Sequence, residues 1–572
     1  MKKQKNIFQS KNFYLLVFFI ILILGIYLRI IGLNKPSGLW YDEAWSYYTA
    51  KQAFPLGIFE TLFTKDRHVP LYFTILHFWM NMFGVHDISL RFLSVIFGVL
   101  TIPVTYLAAK ELSCKKVGFT AAMFVSVNSL LIYYSQEVRF YSFLALLSSL
   151  SILFLARIRN NPSKFNYTGL IISNLAIIYT FTIGFIFVFF EFLLFLIYLY
   201  FINKKQLKNF ISAQLITFIF SIPFIMIFIH FIKLTKDSFI NAFDINLFSY
   251  ASILTAVQNW FTPVLGGMLN VLPQKYEMIF ANGINFNFII FAVIPVIICL
   301  FGLINSIFKR NFICIIFLIG ASVFLVEIIA AMLGKFTILS RYTILILPVF
   351  LITASYGLVN IKNKFLSGFL ISTFIFINLF YLFSNPFTAS KYPRPEGYRT
   401  VANFLNMCPF TRDDIIFMPI GGIFLEKYYS SDKAYILPFE LSDFLENKKY
   451  HYFFDDKLTS TITVRNSYEK LNVYLASQPS SFFENYLKKE IFNKLKNNRY
   501  FILVITRNFC PYSEDMLKHI SQNNHIYKKQ PLSLMLTSKV VNDTAKISKK
   551  HLSEIADIKI DFWEIYIFKK VQ

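Results

Sequence analysis

Asp42 and Glu43 stand side by side in GLWYDEAWSYY, residues 38–48, directly after the first long apolar run of the chain. A third acid, Glu137, lies in YYSQEVRFYS, residues 133–142, beside Gln136 and Arg139. Basic groups accompany them: Arg67 and His68 in DRHVPLY, Lys335, and Arg341 in SRYT. An ionisable group at the edge of a hydrocarbon phase is costly to keep there and is a functional candidate by default. A carboxylate partly stripped of water also becomes a better base. The chemistry open to such a set is proton transfer by an acid, with cations holding an anionic group.

These residues must be positioned by a membrane-embedded scaffold. The chain has 572 residues, of which 56% are hydrophobic and only 15% charged, a balance too apolar for a soluble enzyme. Apolar runs fall at about 12–33, 70–84, 89–109, 117–134, 139–157, 166–183, 184–202, 209–232, 286–307, 311–333, 340–360 and 365–384. Between them lie short basic clusters: Lys110/Lys115/Lys116, Arg157/Arg159/Lys164, Lys204/Lys205/Lys208, Lys309/Arg310 and Lys362/Lys364. Short basic loops belong on the cytosolic side. If 70–84 crossed the bilayer, every later basic cluster would land outside. If it does not cross, all of them fall inside, together with the N-terminal lysines. The run is about 15 residues long, short for a hydrocarbon core of roughly 30 Å, and is read as an interfacial or re-entrant helix. The fold class is therefore a polytopic α-helical membrane protein with about 11 spans and interfacial helices in its first outer loop. Its N-terminus is cytosolic. Residues 34–88, 133–142, 233–285 and 334–341 then share the extracytosolic side, so the acids and cations above gather at one membrane edge.

The first domain is taken as 1–384 and the second as 385–572, where the composition turns polar. EGYRTVANFLN reads as a helix; DDIIFMPI, RYFILVIT and DFWEIYIFKK read as strands, with SSFFENYLKKEIFNKLKN helical between them. This is an extracytosolic α/β domain suited to binding an acceptor or to scaffolding. The formal charge of +24 is explained largely by the positive-inside loops, not by a nucleic-acid surface. Five cysteines form no CxxC or Cys/His metal spacing. Cys408 and Cys510 could pair in an oxidising compartment. Gly266 and Gly267 are too few, and follow no strand, to cradle a nucleotide. His77, His86 and His230 read as packing or interfacial histidines, and Trp40, Trp45 and Trp79 as interfacial anchors.

In order along the chain, LWYDEAWSYYTA, RHVPLYFTILHFWMNMFG, LRFLSVIFGVLTIPVTYLAAKEL, YYSQEVRFYS and SRYTILILPVFLITASYGL resemble the bacterial protein-mannosyltransferase-like and aminoarabinose-transferase-like membrane glycosyltransferases of the C fold type. The resemblance spans about residues 12–384. It implies a polyprenyl-phosphate-linked sugar as donor, a hydroxyl group as acceptor and reaction on the outer face of a bacterial inner membrane. Such a donor carries its own leaving group, so the demanding proton is the one the acceptor loses. Asp42 matches the family's first-loop acid and is assigned as general base, with Glu43 orienting the acceptor or holding structure. The alternative for Asp42 is a helix N-cap for a helix starting near Ala44. Glu137 either pairs with Arg139 or orients a reacting group. Arg67, His68, Arg139 and Arg341 are the cations for the leaving phosphate; for Arg341 the alternative is snorkelling to headgroups. Where the family usually has two prolines after its histidine, this chain has Val69-Pro70. Asp66 and His68 alone do not make a metal pair, so no metal ligands are assigned and a divalent metal is left open. The rivals are a ligase using a lipid-diphosphate oligosaccharide, and a transporter or flippase, which would carry buried charges near span centres.

Overall fold

The computed structural model describes residues 11–35, 38–62, 68–240, 286–332, 341–384 and 398–407, with strands and short pieces of the remaining C-terminal region. Two compact units result: Met1–Leu33, Ala53–Leu62 and His68–Lys391 form the first, and Asn34–Gln52, Phe63–Arg67 and Tyr392–Gln572 the second.

The first unit is helical. Its elements are α1 (Lys11–Ile30), α3 (Leu56–Thr61), α4 (Leu71–Phe83), α5 (Asp87–Leu112), α6 (Lys115–Val127), α7 (Ser129–Ser135), α8 (Tyr141–Asn160), α9 (Lys164–Ile178), α10 (Gly184–Ile202), α11 (Leu207–Ile240), α12 (Phe286–Phe308), α13 (Ile313–Met332), α14 (Leu347–Val359) and α15 (Lys364–Ser384). α5 packs on α6 and α8, α8 on α9, α10 on α13, and α14 on α12 and α6. Among the described residues, five helices are long and apolar enough to cross a membrane, and a sixth if the pair α6–α7 counts as one span. The chain is a polytopic helical membrane protein.

The run 70–84 becomes α4, a helix of 13 residues. At 1.5 Å per residue it is about 20 Å long, less than the hydrocarbon core. It buries Tyr72, Phe73, Leu76 and Met80 on one face and leaves Phe78, Met82 and Phe83 exposed. It leans on α5 through Trp79 Nε1, which donates to the Ser89 carbonyl at 2.8 Å. Its first amide, at Leu71, donates to the Tyr179 carbonyl at 3.0 Å.

The single apolar run 117–134 is divided. α6 ends at Val127, and α7 leaves at 55° after Asn128. Asn128 is the cause: its side chain accepts from the Leu131 amide at 3.0 Å and so starts a new helix.

Deep between α8, α9 and α10 sits Glu191, fully buried. Asn174 Nδ2 donates to its Oε1 at 2.7 Å, Ser151 donates to its Oε2, and Ser151 also reaches Asn174 Oδ1 at 2.9 Å. Among apolar helices such a satisfied polar cluster fixes register and rotation. Glu191→Ala should strand two buried polar groups and cost about 1–3 kcal/mol, read as a lowered midpoint of thermal unfolding in detergent. Glu191→Gln, which keeps an acceptor and adds a donor, should stay near the parent. Equal losses for both would show that the contacts of the cluster do not matter.

In the second unit, α2 (Tyr41–Lys51) and α16 (Tyr398–Met407) accompany a seven-stranded sheet. Its strands are β1 (Ile415–Met418), β2 (Tyr435–Pro438), β3 (Tyr500–Ile505), β4 (Tyr527–Lys529), β5 (Ser533–Leu536), β6 (Asp557–Ile560) and β7 (Trp563–Lys570). The order is β2-β1-β3-β7-β6-β5, with β4 also pairing with β7. β1 is parallel to β2 and β3, while β7 is antiparallel to β3 and β6. The expected strands at 413–420, 499–506 and 561–570 and the helix at 396–406 are found. The expected helix at 480–497, together with Cys408 and Cys510, lies outside the described residues.

Candidate active site

Arg139 follows α7 in the turn Gln136–Phe140 and is almost fully buried, 2% exposed. Its Nη2 lies 3.2 Å from His68 Nε2. A guanidinium only donates, so Nε2 is the acceptor in this hydrogen bond. The guanidinium also lies over the Phe140 and Tyr141 rings, at 5.2 and 5.9 Å, where the ring quadrupole favours a cation. The backbone of Arg139 is held separately. Ser94 Oγ, on α5, donates to its carbonyl at 3.2 Å, and Tyr72 OH of α4 lies 3.1 Å from the same Oγ. Helix α4 thus reaches the turn through two hydroxyls.

Arg341 joins this cluster through rings. Its guanidinium lies 5.5 Å over Tyr342. Tyr342 contacts Phe181 at 5.6 Å, Phe181 contacts Phe140 at 5.3 Å, and Phe140 contacts His68 at 5.5 Å. Two arginines and a histidine are therefore strung along one aromatic seam. Glu137 belongs to the same turn, fully buried, and its carbonyl accepts from the Arg139 amide at 2.8 Å. Arg67, Asp66 and Lys335 lie outside the described residues. Among the described residues, no three His, Cys, Asp or Glu side chains converge as a metal-holding group.

Asp42 and Glu43 belong to the second unit. Both are buried in the first turn of α2, at 4% and 0% exposure. The helix begins at Tyr41 with Trp40 as its N-cap, two residues or more before the expected start near Ala44, so Asp42 is not the capping residue. That task falls to Glu43, whose Oε2 accepts from the Trp40 amide at 3.4 Å, the return half of a capping box. The carbonyl of Asp42 accepts from Ser46 Oγ at 3.1 Å. The strand of chain leading in is fixed by residues of the C-terminal region. Leu39 N donates to Tyr428 OH at 2.9 Å, and Tyr398 N donates to the Leu39 carbonyl at 3.2 Å. Gly38 turns here with φ +81°, and a Cβ on it would meet the Arg399 Cβ at 2.6 Å, so only glycine fits. Lys427 lies 4.8 Å over Tyr47 and 5.1 Å over Tyr428.

Residues 67–230 match the family described as dolichyl-phosphate-mannose-protein mannosyltransferase. The match covers α4, the Gln136–Arg139 turn, helices α5 to α10 and most of α11. Over the longer chain, the solved structure of ArnT from Cupriavidus metallidurans in the apo state superposes with a TM-score of 0.51 at 11% sequence identity, covering 88% of this chain and 94% of that one. The fold is that of the C-type membrane glycosyltransferases. The protein-mannosyltransferase and ArnT resemblance read from the ordered motifs holds. ArnT bound to undecaprenyl phosphate aligns with a TM-score of 0.47 at 11% identity, covering 88% and 95% of the two chains. AglB, an oligosaccharyltransferase from Archaeoglobus fulgidus in complex with an inhibitory peptide and a dolichol-phosphate, gives 0.47 at 14% identity over 89% and 71%. Comparison with curated proteins returned no match.

Sequence reasoning named Arg139, His68 and Arg341 but missed what supports them: Tyr72, Ser94, Phe140 and Phe181. A tyrosine inside the otherwise apolar start of 70–84 was the available signal for Tyr72. Nothing in the spacing pointed to Phe181.

Proposed function

We propose that the chain is an integral-membrane, inverting glycosyltransferase that moves a monosaccharide from a polyprenyl-phosphate donor to an extracytosolic hydroxyl group. The observation that carries the reading is the buried Arg139–His68 pair continued to Arg341 along an aromatic seam. A polyprenyl phosphate offers an anionic head on an apolar tail, and cations set among rings at the end of apolar helices suit both parts. ArnT, whose fold the chain shares, binds undecaprenyl phosphate.

In the proposed step the acceptor oxygen attacks the anomeric carbon, forming the new C–O bond. The bond from that carbon to the phosphate oxygen breaks, and polyprenyl phosphate leaves with the electron pair. Arg139 and Arg341, with Arg67 as a third candidate, stabilise the growing phosphate charge. The acceptor's proton passes to Asp42. Glu43 is the structural acid of the pair, and Glu137 shapes the turn that carries Arg139.

A transporter would need buried charges free to bind cargo. Two of the buried charges are instead held, Glu191 by Ser151 and Asn174 and Arg29 by backbone carbonyls, the arrangement of struts between helices; Glu327 of α13, buried without a hydrogen-bond partner for either carboxyl oxygen, is the residue on which the transporter reading would rest. The direct test is the full-length protein in detergent with polyprenyl-phosphate sugars and candidate acceptors. Release of polyprenyl phosphate dependent on an acceptor supports the reading. Passage of the lipid across reconstituted vesicles without sugar transfer would replace it with the transporter.

The topology proposed with it has 11 spans, an inner-membrane location and residues 385–572 outside. Single cysteines at 85–88 and 385–400 should react with an impermeant reagent in intact cells, and cysteines at 158–164 should not. Labelling of 85–88 only after permeabilisation would overturn the arrangement.

A further inference from the structure

The break between α6 and α7 exposes backbone groups that a membrane cannot satisfy with water. The structure answers several of them with a named partner. Arg29 of α1, fully buried, donates from Nη2 to the Val125 carbonyl at 2.9 Å and from Nη1 to the Ser126 carbonyl at 3.1 Å. These are among the last four carbonyls of α6, which carry the negative end of its dipole and suit a buried cation. Asn378 of α15 accepts from the Ser129 amide at 3.3 Å, the first of α7. Asn128 caps the same end.

The far end of α7 is held just as specifically. Gln136 Nε2 lies 3.2 Å from the Leu28 carbonyl, 3.3 Å from that of Arg29 and 2.7 Å from that of Ile31. The neighbouring orphans of α1 are taken as well. Tyr27 O accepts from the Ile31 amide, Ile30 O from the Leu33 amide, and Leu33 O from Arg91 Nη1 at 3.2 Å. Thus α1 sends a side chain into the end of α6, and the residue after α7 returns one into the end of α1. The helix between is a short strut tied at both ends. Its side is closed too: a Cβ on Gly98 of α5 would lie 2.9 Å from Ser135 Cβ and 3.0 Å from Arg29 Nε.

Three residues beyond Gln136 stands Arg139. We propose that Arg29 and Gln136 are positioning residues for the donor site: they lock α7 so that its following turn presents Arg139 to His68 in one geometry. Neither residue touches the donor in this scheme. The inference rests on the reading of Arg139 and His68 as the phosphate subsite.

The test uses the full-length protein in detergent, a C55 polyprenyl phosphate as probe, and amide hydrogen exchange over residues 129–139. Gln136→Glu keeps length but cannot donate to carbonyls. It should speed exchange across 129–139 and weaken polyprenyl-phosphate binding by about 10- to 100-fold, as expected for a binding group displaced by roughly 1 Å. In transfer assays the loss should fall on the donor KM, with kcat reduced far less. Arg29→Lys, which retains a cationic donor, should recover most of the affinity lost in Arg29→Met. A folded Gln136→Glu protein with parental exchange and parental affinity overturns the proposal. If that variant does not fold, Gln136→Met, which keeps the length of the side chain without a buried charge or a donor, decides by the same two readouts. A parent that binds no polyprenyl phosphate removes the functional reading instead, and the exchange data still judge the lock.

Discussion

Asp42→Asn is expected to leave expression, thermal stability and donor binding near those of the parent while transfer falls by about 10²–10⁴-fold, the usual contribution of a positioned general base. The substitution keeps the shape of the side chain and most of its hydrogen-bonding capacity, and removes only its ability to take a proton. Asp42 is buried in the first turn of α2, where a negative charge meets the positive end of the helix. Losing that charge from a buried helix end should cost up to about 2 kcal/mol, too little to account for a loss of activity of that size. The neighbouring acid provides the control. Glu43 closes the capping box on Trp40, so Glu43→Gln, which still accepts from that amide, should transfer at close to the parental rate. The measurement is initial rate against acceptor concentration for the three proteins, with unfolding followed in parallel. Parental transfer by Asp42→Asn would end the assignment of Asp42 as base. A larger loss for Glu43→Gln than for Asp42→Asn would exchange the two roles.

The helical frame was legible because its signal is repeated. Long apolar runs separated by basic clusters constrain one another, and one short run, 70–84, could be demoted by the charges of all the others. The strands of the C-terminal region announced themselves through dense β-branched and aromatic residues, as in YFILVI and WEIYIF. The candidate site was legible in part. Its charged residues stand out against an apolar background, and their order carries the family resemblance. What stayed hidden depends on partners distant in sequence. The division of 117–134 rests on Asn128 together with Arg29 and Asn378, residues 99 and 250 positions away from it in the chain. An asparagine inside an apolar run was the only local hint. Gln136 reads in sequence as one more polar residue of a loop, and only the fold brings it to the end of α1. The start of α2 was misplaced for a related reason. Aspartate is a common N-cap, whereas Trp40 is not, and the helix gains its end from Glu43 and from Tyr428 and Tyr398 acting on Leu39.

Arg139 carries the second large expectation. Arg139→Met preserves the length of the side chain and its contact with Phe140 and Tyr141, but removes the charge and every donor. A charge-assisted hydrogen bond contributes about 1.5–3 kcal/mol, so affinity for polyprenyl phosphate should fall roughly 10- to 150-fold. Arg139→Lys keeps the charge without the planar fork and should lie between the two. His68→Ala separates two origins of any loss. If His68 only accepts the hydrogen bond from Nη2 and fixes the guanidinium, its removal should weaken binding less than Arg139→Met, and the double variant should be no worse than Arg139→Met alone. If His68 contacts the phosphate independently, the two losses should add. Burial sharpens the experiment, because Arg139 is 2% exposed and a pair so shielded is screened little by salt. Raising ionic strength to 0.5 M, about fivefold above the range where the Debye length is near 10 Å, should therefore change the parental affinity much less than the substitution does. Binding by Arg139→Met at the parental level, in a folded protein, would leave the aromatic seam without the cation that gives it a role and would move the phosphate elsewhere.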